Sequence, residues 1–91
     1  MSNRAEVYAV IDEERTYQSE RWNSKTTTSG GIHSNTEFLV YIKDYVEEAL
    51  HYACRNPDPD ATRFSQHNLR KIAALAVAAM EQNGIKRRDL D

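Results

Sequence analysis

Glu14, Gln18 and Asn68 are hydrogen-bonding side chains set among apolar ones at helical spacing. Val7, Val10, Ile11, Tyr17 and Trp22 mark a stripe at roughly 100° per residue, and Glu14 and Gln18 fall inside it. Further along, Phe64, Leu69, Ile72, Leu75, Ala76, Ala79 and Met80 make a second stripe with Asn68 near its centre. Polar groups on core-facing positions are costly unless paired. Three of them predict a polar pocket inside a helical bundle.

Other residues carry candidate chemistry. Asp44, Glu47, Glu48 and His51 follow one another on a helical pattern, and Glu37, Asp44, Glu48 and His51 share its polar face. Asp44 and Glu47 are candidate ligands for Mg²⁺, which takes oxygen donors and few of them from protein. The same residues also make an ordinary solvated face. The single Glu48-x-x-His51 is not the paired motif of a di-iron bundle. His33, His51 and His67 lack zinc spacing, and the one cysteine, Cys54, cannot complete it. Lys25, Thr26, Thr27, Thr28 and the amides of Gly30 and Gly31 form either a phosphate cradle or a plain connector. Tyr8, Tyr17, Tyr41, Tyr45, Tyr52 and Trp22 can stack on a nucleobase or sit at helix boundaries with one wet end. Arg21, with Arg15 beside the stripe, is suited to neutralise Glu14 or to bind phosphate.

The elements that must position these groups are three helices. The first spans 3–22, capped by Ser2 or Asn3. The stretch 23–33 is polar and carries Gly-Gly, so it reads as a loop. Ser34 and Glu37 match a capping box that starts the second helix, over 35–56. Its apolar face holds Phe38, Leu39, Ile42, Tyr45, Val46, Ala49, Leu50 and Ala53. Asp58 and Pro59 open a third helix over 59–83, which stops at Gly84. A short charged tail, 85–91, follows. The run 72–80 is apolar all round, which predicts that a second subunit covers Ala74, Val77 and Ala78.

Ninety-one residues make one all-α domain, of three long antiparallel helices in an oligomeric bundle. A net charge of −2 argues against a partner that is a long nucleic acid. A lone cysteine and no signal-peptide or membrane-spanning run fit a soluble protein of the cytoplasm.

The segment ERTYQSERW, then His33, an acidic helix and the run LRKIAALAVAAMEQNG resemble a phage-type branch of the MazG-like all-α nucleotide pyrophosphohydrolases. That branch opens on ER-x-x-Q-x-x-[KR]-W, matched here by Glu14, Arg15, Gln18, Arg21 and Trp22. The resemblance covers roughly residues 7 to 84. It implies Mg²⁺ on helical carboxylates and water attacking a triphosphate to release pyrophosphate. The Glu-Glu-x-x-Glu motif falls on Lys43, Asp44, Tyr45, Val46 and Glu47, so Lys43 replaces a ligand. The acidic position of the last helix falls on Asn68, and the one after it on Lys71 or nearby. A frame shaped for nucleotides that loses ligands and gains Lys and Asn implies binding without cleavage. By analogy it extends to sequestering a nucleotide or cyclic nucleotide signal used in host defence, in the host cytoplasm if phage-encoded. On this reading the ligand meets Tyr8, Glu14, Gln18, Arg21, Trp22, Lys25, Lys43, Asn68 and Lys71. Two alternatives stand beside it: a Mg²⁺-dependent nucleoside triphosphate pyrophosphohydrolase using Asp44 and Glu47, and a protein-binding inhibitor module.

Overall fold

The computed structural model describes residues 2–22, 31–55 and 59–88, without the side chains of 54, 55 and 59–62. Among the described residues there are three helices, α1 (Arg4–Arg21), α2 (Asn35–Arg55) and α3 (Pro59–Asn83), and no strand. The chain is all-α. Lys25 and its neighbours in 23–30, the turn at 56–58 and the Cys54 side chain lie outside the described residues.

Local chemistry sets the helix ends. The Asn3 side chain accepts the Glu6 N–H at 2.9 Å and caps α1. Before α2, the Ser34 hydroxyl accepts the Glu37 N–H at 3.2 Å, and the Glu37 carboxylate accepts the Ser34 N–H at 3.1 Å. That reciprocal pair satisfies two donors which the first turn leaves orphaned. After α3, Gly84 takes φ +87° and returns its N–H to the Met80 carbonyl at 2.9 Å. Glycine suits this left-handed cap because it has no Cβ to clash.

Both other helices lie on α3, and α1 and α2 do not run side by side. Along α2 and α3, Phe38 packs with Leu75 and Ala78, the Asn68 amide donates to the Tyr45 carbonyl at 3.0 Å, and Tyr52 stacks on Phe64 at 4.4 Å. These contacts descend α3 as they ascend α2. Among the described residues the fully buried apolar ones are few: Phe38, Ala74, Leu75 and Ala78. Against this group lie Trp22, Ile42, Tyr45 and Ala79, partly buried.

The run 72–80 is covered differently from the expectation. Ala74 and Ala78 are already buried within the chain and Val77 is half-buried, so no second subunit is needed there. Helices approach α3 from two sides, and its alanines let them come close. Apolar surface is left elsewhere: on Val7, Val10 and Tyr17 of α1, on Leu39, Val40 and Leu50 of α2, and on Leu69 of α3. Leu69 leaves the predicted stripe because Asn68 beside it turns inward to Tyr45.

The segment entering α2 is tied to the far end of α3. Gln82 accepts the His33 N–H at 3.0 Å and donates to the Gly31 carbonyl at 2.8 Å, and Asn83 donates to the His33 carbonyl at 3.1 Å. Gly31 has φ +81°, and a Cβ there would meet the Trp22 carbonyl oxygen at 2.2 Å. The His33 ring then sits edge-on among Trp22, Phe38 and Tyr41, at 5.9, 5.5 and 5.2 Å.

Candidate functional site

On α1 the buried residues are Glu14 and Gln18, while Val7, Val10 and Tyr17 on either side are exposed. The helix turns its polar pair toward α3 because α3 presents polar partners there. Arg70 Nε donates to the Glu14 carboxylate at 2.6 Å, and the two side chains are 35% and 8% exposed. Arg70 also reaches the His67 ring nitrogen one turn back. A carboxylate taken this far out of water needs such a charge-assisted bond.

Gln18 is held differently. Its Nε2 donates to the Lys71 backbone carbonyl at 3.3 Å. A carbonyl only accepts, so this bond orients the amide: nitrogen toward α3, oxygen the other way. That oxygen, Oε1, is buried with no hydrogen-bond partner among the described residues, in a residue 7% exposed. Asn68 is a second such case: its nitrogen donates to the Tyr45 carbonyl and its Oδ1 has no partner among the described residues.

Glu14 and Gln18 line an open cavity of about 740 Å³ between α1 and α3, within the roughly 300–1,000 Å³ of small-molecule sites. Its aromatic lining is Tyr17 and Trp22 from the α1 side and Tyr45 from α2. Its cations are Arg21, Arg70 and Lys71, with His67 beside them and Glu13 opposing. Two of these cations already lie on rings: the Arg21 guanidinium is 5.2 Å from the Tyr17 centroid, with its Nε on the Tyr17 hydroxyl at 3.0 Å, and the Lys71 ammonium is 5.1 Å from the Tyr45 centroid. Such cation–ring contacts are worth about 0.5–1 kcal/mol at exposed sites, and they hold both charges at the cavity wall.

Of the residues singled out from sequence, Glu14, Gln18, Arg21, Trp22 and Lys71 meet around this cavity. Asn68 is buried in the α2–α3 seam and is not part of its lining. Tyr8 is exposed on α1 and is also not part of it. Lys43 lies on the outer side of α2, with its ammonium 3.6 Å from the Glu47 carboxylate and both side chains well exposed. Asp44 is exposed beside them. Among the described residues no three His, Cys, Asp or Glu side chains gather in one place. His33 belongs to the aromatic cluster behind Trp22 rather than to the cavity lining.

Sequence reasoning did not find Arg70, the partner of Glu14. Arg15 and Arg21 stood as candidates, yet Arg15 pairs with Glu81 at 3.0 Å and Arg21 lies on Tyr17. A signal was present: Arg63, His67, Arg70 and Lys71 recur at helical spacing and form a basic stripe, of which the last three reach the cavity. One shift in protonation bears on the α2 end. The Ser34 backbone N–H, then the His33 imidazole and the Ser34 hydroxyl, hold the exposed Glu37 carboxyl below its ordinary 4.5. No helix among the described residues is long and apolar enough to cross a membrane. Comparison of the chain with protein-family models, with curated proteins and with solved structures found no match.

Proposed function

We propose that the cavity between α1 and α3 binds a nucleotide or cyclic nucleotide and holds it without cleaving it. The observation that carries this reading is the lining itself, in which three rings and three cations surround a cavity of small-molecule size. A ligand with an aromatic base and negative charge would complement both. Tyr17, Trp22 and Tyr45 offer faces for a base, and Lys71 and Arg21 offer charge for phosphate. Retention rather than hydrolysis is supported by where the candidate metal ligands stand. Asp44 and Glu47 lie outside the cavity lining, and Glu14 is engaged by Arg70. On this reading the chain is a MazG-like helical frame, of three antiparallel helices, turned to sequestering a nucleotide signal.

The frame is proposed to work as a homo-oligomer. The exposed apolar residues Val7, Val10 and Leu69 flank a second, mostly apolar hollow of about 660 Å³. A constitutive partner is needed to cover it, and another copy of the chain is always present.

Thermal-shift measurements against nucleotides and cyclic dinucleotides, with EDTA present, test the binding reading. Stabilisation by at least one of them is the expected result, and none would remove it. Sedimentation at micromolar concentration tests the assembly, where a pure monomer is the contrary outcome.

A further inference from the structure

Helix α2 keeps a face that neither α3 nor the cavity uses. Leu39, Val40, Val46 and Leu50 lie on it, exposed by 64, 53, 38 and 58%. Lys43 and Glu47 stand among them, both well exposed, with ammonium and carboxylate 3.6 Å apart. At roughly 100° per residue these six side chains fall within an arc of about 120°, so they make one stripe. Phe38, Ile42 and Tyr45 belong to the opposite side, against Leu75 and Ala78 of α3.

The stripe has a centre. Val40 and Leu50 stand five residues before and five after Tyr45, and Lys43 and Glu47 stand two before and two after. In an isologous contact between copies, residue i meets residue j and j meets i. A second α2 laid antiparallel, with its two-fold axis level with Tyr45, sets Val40 on the partner's Leu50 and Lys43 on the partner's Glu47. Each of these contacts then occurs twice. The same helices laid parallel and in register would set lysine on lysine and glutamate on glutamate. Charge thus selects one direction of approach. Within a single chain the exposed Lys43–Glu47 pair contributes little, so exchanging it for the crossed pair costs little.

We infer that the outer stripe of α2 docks on the same stripe of a second copy, antiparallel and about a two-fold axis level with Tyr45. This rests on the homo-oligomer reading above and adds a face separate from the hollow beside Val7, Val10 and Leu69.

Sedimentation velocity of the full chain at micromolar concentration tests it through a charge reversal and its repair. Lys43→Glu sets glutamate on glutamate twice, and is expected to lower the mass of the assembly to about half of the parent's or less. Lys43→Glu combined with Glu47→Lys restores both crossed pairs and should restore the parent's mass. Leu50→Gln removes apolar contact from the same stripe and should also lower the mass. Thermal melting shows that each variant is folded. A parent mass kept by both Lys43→Glu and Leu50→Gln overturns the α2 docking and leaves the homo-oligomer standing on its other face. A double reversal that stays as small as Lys43→Glu overturns the antiparallel pairing. A monomeric parent overturns both readings.

Discussion

The two seams on α3 are built from opposite materials. Between α2 and α3 the contacts are mainly apolar, Phe38 on Leu75 and Ala78 and Tyr52 on Phe64, with the Trp22, His33 and Tyr41 rings closing one end and the Asn68 amide on the Tyr45 carbonyl as a polar exception. Between α1 and α3 they are the Glu14–Arg70 ion pair, the Gln18 amide on the Lys71 carbonyl, and Arg15 on Glu81. Apolar burial is non-directional and stabilises in proportion to area. Buried ion pairs cost nearly as much in desolvation as they return. The α2–α3 seam thus holds the chain together, and the α1–α3 seam fixes the orientation of its polar groups at little net gain in stability.

That contrast can be broken at its strong side first. Phe38→Ala empties the centre of the apolar seam, where Phe38 is 1% exposed, and should cost about 3–5 kcal/mol. In a chain with so few buried apolar residues this should leave little cooperative melting by circular dichroism. A loss under about 1 kcal/mol would mean that the core lies elsewhere.

The polar seam should respond asymmetrically. Arg70→Met leaves the Glu14 carboxylate buried and unpaired, and should cost about 2–3 kcal/mol, less than a fully buried pair because Arg70 is one-third exposed. Adding Glu14→Leu should recover most of that loss, since removing both partners also removes the desolvation cost. Chemical denaturation of the single and double variants checks this. A double variant no more stable than Arg70→Met would show that the ion pair itself supplies net stability.

The smallest effect is at the α2 cap. The folded state lowers the Glu37 pKa below 4.5 through the Ser34 N–H first and His33 next. A depressed carboxylate stabilises the fold above its unfolded value and loses that contribution as pH falls through the folded one. Glu37→Gln should therefore melt slightly lower than the parent at pH 7, with the difference closing as pH drops below 4.5. A difference that persists unchanged in acid would assign the effect to the cap hydrogen bonds rather than to the charge.

Periodicity and cap chemistry alone specify much of the fold. The helix count, the Asn3 cap, the Ser34–Glu37 box and the Gly84 stop all depend on residues within a few positions of each other, and all are present. The burial of Asn68 was readable too, from apolar neighbours at helical spacing, whereas Glu14 and Gln18 are buried although Val7, Val10 and Tyr17 beside them are exposed. Their partners were not. Arg70, the Lys71 carbonyl and the Tyr45 carbonyl are 56, 53 and 23 residues away, and no local pattern encodes which turn of one helix meets which turn of another. The apolar stripe of α1 failed for the same reason: helical spacing marks a face, while the partner helix chooses which part of it to cover. What the sequence determined by itself is therefore the set of helices and the inward turn of Asn68. Only the tertiary structure decided that Glu14 and Gln18, with Arg21, Trp22 and Lys71, share one cavity while Asn68 serves the other seam. Side-chain direction across a helix pair depends on the rotation and offset of packing, which arises only when the helices meet.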